Sequence, residues 1–297
     1  MKMSCKHFFL LACFLATGVD MASGQELYCP AVPDTLCTSY ARAAYQLIHF
    51  WDKMDFSDTL RSRNSVLMEQ NFVYFLSLFP HVQVEERNMA VKNLMQRAKA
   101  DKTAYLLLVR LVDKYLYTFD SPIQDEEYFI PFGEEIVGTS LLDETEKSRF
   151  GFLLSAALKN RPGTMAADFT YLTPNGELQT LYTIPATYRL LLLFYDPDCL
   201  HCWEIITALR NASRLQQQMK SGQLTILAIC VGEDRNSWNF SLKDLPTWWL
   251  TGFDIGCIRQ EERYLLPDMP MMYLLDEEKR VVKKGVSLHH LLLEFQE

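Results

Sequence analysis

Six apolar residues in a row, Leu190-Leu191-Leu192-Leu193-Phe194-Tyr195, stop just short of a spaced pair of cysteines, Cys199-Leu200-His201-Cys202. An unbroken apolar run of that length has the size of a strand buried on both faces, with helices packed on either side of its sheet. The pattern after it reads as a helix over residues 202–219, so the cysteines fall where a strand ends and a helix begins. A sulfur at a helix N-terminus meets unpaired N–H groups and the positive end of the helix dipole, and both favour thiolate. This half of the chain is therefore constrained to an α/β design with reactive sulfur at one edge.

The surrounding pattern extends that design. Residues 167–172 alternate, Pro174-Asn175-Gly176 turns the chain, and residues 177–182 return as the second arm of a hairpin. After the 202–219 helix, residues 224–231 form a second buried strand. A segment of mixed character follows. Residues 271–275 and 281–286 then read as a closing hairpin, and residues 288–295 as a last helix. The order is hairpin, strand, helix, strand, mixed segment, strand, strand, helix, which is that of a thioredoxin fold with an N-terminal hairpin.

Residues 38–158 carry a different period. Ala41, Ala44, Tyr45, Ile48 and Trp51 recur at helical spacing, as do Phe72, Phe75, Leu76 and Phe79, and again Val91, Leu94, Met95 and Ala98. Residues 105–117 read as a more continuously apolar helix. Asp101 and Asp143 each stand just before a new periodic run, where an N-cap belongs. Glu85-Glu86 and Asp125-Glu126-Glu127 suit solvated helix termini. Five or six helices are expected, ended by Arg161-Pro162-Gly163. The expected organisation is a signal peptide over 1–24, an all-helical domain over 25–160 whose residues name no activity, and a thioredoxin-like domain over 161–297.

The start of the chain bears on compartment. Lys2 and Lys6 precede an apolar run over residues 8–19, and Ala22, Ser23 and Gly24 make a cleavage site before Gln25. That run is shorter than the roughly 20 residues needed to cross a bilayer. Leu10-Leu11-Ala12-Cys13 faintly resembles a lipobox, but too few apolar residues precede Cys13 for lipid anchoring to be the preferred reading. The chain is expected to be exported to the periplasm, where disulfides form. Six cysteines then remain, of which Cys29 and Cys37 are expected to close a short loop around Pro30 and Pro33. A net charge of −8 argues against a nucleic-acid partner.

Two cysteines at this spacing can close a reversible disulfide, or they can supply half of a zinc site. A structural zinc needs four ligands, usually two such pairs, and no second pair or histidine pair accompanies this one. No metal and no cofactor are expected. A purely structural disulfide in an inactive domain stays open as an alternative.

The blocks Gly163-Thr164-Met165-Ala166-Ala167-Asp168-Phe169, Leu193-Phe194-Tyr195-Asp196-Pro197-Asp198-Cys199-Leu200-His201-Cys202 and Pro270-Met271-Met272-Tyr273-Leu274-Leu275-Asp276 resemble, in order and rough spacing, the TlpA/ResA-type thioredoxin-like proteins of the bacterial envelope. The helical half loosely resembles an uncharacterised domain found before such domains. The resemblance implies that Cys199 is the nucleophile and Cys202 the resolving thiol. It also implies that Met269-Pro270 carries a cis-proline facing the pair and offering backbone to a substrate strand. There are departures. Leu193 stands where thioredoxins place a buried acid, so the proton acceptor for Cys202 is missing or comes from elsewhere. Asp198 replaces the aromatic residue before the pair, and its charge disfavours thiolate and slows attack. His201 works the other way when protonated. Histidine at that position also occurs in oxidising, DsbA-like motifs, which implies a pair more oxidising than thioredoxin.

Cys230 reads as a small buried hydrophobe, and Cys257 either pairs with it or stays free. Two functions stand at this point. One is a periplasmic thiol–disulfide oxidoreductase acting on protein thiols or disulfides, with a membrane-bound redox partner. The other is an envelope binding module whose thioredoxin-like half is a redox-inactive scaffold.

Overall fold

The computed structural model describes residues 30–118 and 121–295. The expected signal peptide, the expected lipobox and Cys29, with its expected loop to Cys37, lie outside the described residues. The chain forms two compact units, which divide between residues 154 and 155.

The first unit is helical: α1 (Ser39–Ile48), a single turn at Thr59–Ser62, α2 (Ser65–Ser77), α3 (Val84–Ala98), α4 (Lys102–Val112) with a π-helical turn at Asp113–Tyr117, α5 (Glu126–Val137) and α6 (Glu144–Leu158). Side-chain oxygens start these helices by taking amide donors that have no helical partner. Asp101 accepts from the Ala104 N–H at 2.8 Å, Asp143 from Glu146 at 2.8 Å, and Asp125 from Glu127 and Tyr128 at 2.8 and 3.3 Å. The two acidic clusters sit in the first turns of α3 and α5, where the helix dipole favours negative charge. The core is aromatic. Phe50, Phe72, Phe75, Phe79, Phe129 and Phe132 are fully buried, and the Phe79 and Phe132 rings stack at 6.4 Å. Helix α1 stops before Trp51, which is buried all the same.

The second unit is built on a seven-stranded sheet in the order β2-β1-β5-β4-β3-β6-β7. Its strands are β1 (Thr170–Leu172), β2 (Leu178–Thr180), β3 (Arg189–Tyr195), β4 (Leu224–Cys230), β5 (Leu250–Asp254), β6 (Met271–Leu275) and β7 (Val281–Lys284). Strand β3 is the apolar run. It pairs parallel with β4 and antiparallel with β6, and all its residues but Arg189 are buried. Alternate residues feed two cores. Leu190, Leu192 and Phe194 face one with Phe169, Tyr264 and Tyr273; Leu191, Leu193 and Tyr195 face the other with Trp238 and helix α7 (Leu200–Asn211). Helices α8 (Ser213–Lys220), α9 (Arg235–Ser241) and α10 (Leu288–Glu294) complete the unit. The fold is a helical domain and a thioredoxin-like α/β domain, as the sequence implies. Among the described residues no helix is long and apolar enough to cross a membrane.

Several elements differ from expectation. The mixed segment contains β5, which joins β4 to β1. The hairpin arms are short: the second ends in a 3-10 turn at Leu181–Thr183, where Asp168 Oδ1 accepts from the Tyr182 N–H at 3.1 Å. The helix expected over 202–219 is broken at Ala212, and Gln216 Nε2 takes up the freed Arg210 carbonyl at 2.6 Å. The last turn of α6 falls in the second unit, where Lys284 Nζ donates to the Ala156 and Lys159 carbonyls.

Candidate active site

Cysteine 199 is the N-cap of α7: its backbone is extended and its Sγ accepts the Cys202 N–H at 3.2 Å. A sulfur in that role takes the place usually filled by a serine or aspartate oxygen, and a thiolate fills it better than a thiol. The turn ahead of it is firmly built. Cys199 N–H donates to the Asp196 carbonyl at 3.1 Å, Asp198 N–H to Asp196 Oδ1 at 3.0 Å, and Trp203 Nε1 to the Pro197 carbonyl at 2.8 Å. Gly232 lets this turn pack close, since a Cβ there would come within 3.2 Å of Pro197 and 3.3 Å of Asp196 Oδ1.

The two sulfurs are unequal. Cys199 is half-buried and Cys202 has no exposure, and both are free thiols. Burial pushes the Cys202 thiol far above its ordinary value; the Asp196 backbone opposes this, while Cys199 and the Asp196 carboxylate add to it. The Met269–Pro270 peptide bond is cis, and the Met269 carbonyl oxygen lies 3.9 Å from Cys199 Sγ. The structure thus brings together Cys199, Cys202, Met269 and Pro270.

Asp198 and His201 are placed differently. Asp198 is exposed in the turn. His201 is also exposed, and its Nδ1 lies 3.1 Å from Glu204 Oε2 one turn along α7. Leu193, the residue in the place of the usual acid, is wholly buried in the core. The acid whose charge reaches Cys202 is Asp196. Its side chain is 28% exposed and lies 3.7 Å from the Arg259 guanidinium. Sequence reading passed over this pair; the signal available was a carboxylate three residues before Cys199, in Asp196-Pro197-Asp198. Arg259 has no sequence signal at all, being placed by the loop after β5.

Cys230 ends β4 beside Tyr195 of β3. Burial first, then Asp196 and Asp198, push its thiol up to about 12, against the Gly232 backbone and Arg259. Cys230 and Cys257 are both free and buried, in the cores on opposite faces of the sheet, so they do not pair. Among the described residues, no three His, Cys, Asp or Glu side chains are grouped to hold a metal ion.

A sheet of this order, with a Cys-x-x-Cys pair opening a helix and a cis-proline opposite it, defines a thioredoxin-like domain. Comparison with known proteins extends this to nearly the whole chain. A thioredoxin-like protein from Bacteroides caccae is 31% identical, with a TM-score of 0.79 over 92% of this chain and 99% of that one. The chain belongs to the family of thioredoxin-like proteins that this structure represents. Residues 16–160 match the family described as Domain of unknown function (DUF5106). A conserved protein of unknown function from Bacteroides fragilis is 31% identical over 46% of this chain and 99% of its own, with a TM-score of 0.44. The thioredoxin domain of a thiol-disulfide oxidoreductase from Bacteroides vulgatus is 18% identical over 45% of this chain and 95% of its own, with a TM-score of 0.40. No curated protein sequence matches the chain.

Proposed function

We propose that this protein exchanges disulfides with other proteins through Cys199 and Cys202. The observation that carries the reading is the inequality of the sulfurs: one half-exposed at a helix N-terminus beside the Met269 carbonyl, the other sealed beneath it. The Cys199 thiolate attacks a client disulfide, forming a mixed disulfide and expelling one client sulfur as thiolate. The Cys202 sulfur, once it has lost its proton, attacks Cys199 Sγ. The mixed disulfide breaks and the second client sulfur leaves, also as thiolate. The client gains two electrons and the pair becomes a disulfide; oxidation of a client is the same sequence reversed. A substrate strand lying along Met269-Pro270 would set its sulfur opposite Cys199.

The direction proposed is oxidation of clients, on the strength of His201 beside the pair and the amide donated to Cys199 Sγ. The setting proposed is the periplasm, on the leader-like pattern of residues 1–24, with a membrane-bound partner restoring the disulfide. Trapping tests the exchange. Cys202→Ser cannot resolve the intermediate and is expected to accumulate mixed disulfides with client proteins, seen as bands that a reductant removes. If Cys202→Ser captures none while the helical half still retains partners, the protein is a binding module on a redox-inactive scaffold. Titration against glutathione is expected to give a potential above the roughly −270 mV of thioredoxin; a lower value would make the protein a reductant.

A further inference from the structure

The sheet unit is charged unevenly from end to end. Strand β3 starts at Arg189, opposite Leu224, and finishes at Tyr195, opposite Cys230, just before the sulfur pair. At the starting end stand Lys220, ahead of β4, and Lys279 and Arg280, in the turn after Leu275. Lys243 is there too: its neighbour Asp244 offers a carbonyl to Arg210, near the far end of α7. Lys283 and Lys284 sit midway, opposite Leu274 and Tyr273. The sulfur end carries carboxylates. Asp198 precedes Cys199, Asp268 precedes Met269, and Glu233 follows Gly232, which packs against Pro197 and Asp196. All three are exposed, and none is paired with a cation among the described residues. The cations nearby are largely matched already: Arg259 by Asp196 at 3.7 Å, Arg263 by Glu261 at 2.7 Å and, when protonated, His201 by Glu204 at 3.1 Å. Arg235 remains exposed at the start of α9.

We propose that the clients of Cys199 are cationic: protein segments that carry lysine or arginine beside the reacting cysteine. The inference rests on the exchange reading above and names its substrate class. A client strand lying along Met269-Pro270 brings its sulfur to Cys199, whose Sγ is 3.9 Å from the Met269 carbonyl. Asp268 and Asp198 are each one residue from the groups that align that sulfur, so the side chains flanking it meet negative charge. Exposed charges in water are individually weak. Several of one sign around a single point nevertheless raise the local concentration of an oppositely charged partner and its encounter rate, and salt screens the effect. The same carboxylates repel a segment with acidic residues beside its cysteine. The charge pattern thus sorts clients before any sulfur chemistry begins.

The test uses small disulfides that differ in charge: cystamine is cationic, bis(2-hydroxyethyl) disulfide neutral and 3,3′-dithiodipropionate anionic. Reduced full-length Cys202→Ser attacks each through the Cys199 thiolate. A bond forms from Cys199 Sγ to one sulfur of the reagent, the reagent's own disulfide breaks, and its other half leaves as thiolate. Mass analysis of the acid-quenched peptide carrying Cys199 counts the adduct. Each rate at pH 7 is divided by the rate of the same disulfide with 2-mercaptoethanol, which removes its intrinsic reactivity. The normalised rate is expected to fall from the cationic through the neutral to the anionic reagent, by about ten- to a hundredfold overall at low ionic strength. That spread is expected to close in roughly 0.5 M salt. Asp198→Asn combined with Asp268→Asn is expected to narrow it several-fold, whereas Lys220→Gln, at the other end of the sheet, leaves it close to parental. A change in Cys199 thiolate content scales all three rates alike, so the spread reports the surrounding charge and not the nucleophile. Equal normalised rates, a faster anionic reagent, or a spread that Lys220→Gln moves as much as the double variant would overturn the proposal. Absence of any adduct at Cys199 with all three reagents would instead remove the exchange reading itself.

Discussion

The two units of this chain put their carboxylates to different uses. In the helical unit carboxylates serve helix starts and surface ties: Asp101 caps α4 and also accepts from Arg63 Nε and Nη2, at 3.1 and 2.6 Å. In the sheet unit two carboxylates, Asp196 and Asp254, organise loops at the ends of strands, and the turn that Asp196 braces carries Cys199. Both arrangements satisfy backbone donors; the first starts helices, whereas the second also shapes the turn that presents a thiol. Charge beside a sealed nucleophile points to chemistry, whereas charge at a helix start explains itself.

The largest contrast is chemical. Cys199→Ala is expected to abolish disulfide exchange completely while leaving the thermal unfolding transition close to that of the parent, as insulin-reduction and melting measurements would show. A variant that retained exchange would move the reaction to another thiol. Next come the cores. Phe132→Ala removes a fully buried ring from the aromatic cluster and is expected to cost about 3–5 kcal/mol, and Leu192→Ala in β3 about 2–5 kcal/mol, both read from denaturant melts. The comparison sharpens if the Phe132 variant keeps parental sulfur kinetics and the Leu192 variant does not.

The smallest effect belongs to the cap. Asp101→Ala is expected to cost about 1 kcal/mol. The Arg63 side chain, then the Ala104 amide, hold the Asp101 carboxyl below its ordinary value. A carboxyl with a lowered folded-state value stabilises the fold fully above the unfolded-state value, about 4, and that contribution is lost as pH falls through this range and below it. The parent's advantage over Asp101→Ala should therefore shrink below pH 4 in equilibrium melts.

How much of this was legible in the residues depended on the range of the interactions. Strand β3 and the α1 to α4 faces are written in local hydrophobic pattern, and the N-caps at Asp101 and Asp143 in a single side chain each. Strand β5 was not legible, because Leu250-Thr251-Gly252-Phe253-Asp254 lacks a strand pattern of its own. Gly252 is needed there for a tertiary reason: a Cβ would stand 2.3 Å from Tyr171 Cδ2 on the neighbouring strand. At the site, the cysteines and the start of α7 followed from motif and order, and the cis Met269–Pro270 bond from the family resemblance. The Asp196–Arg259 contact did not, since its partners are far apart in the chain and are joined by a loop that Asp254 folds.

The capping role of Cys199 has a consequence of its own. The atom that reacts is also the acceptor that secures the opening turn of α7, so alkylating or oxidising it withdraws part of that anchor. Fraying there should follow, and deuterium uptake at the Cys202 amide would then serve as a built-in reporter of the sulfur's chemical state.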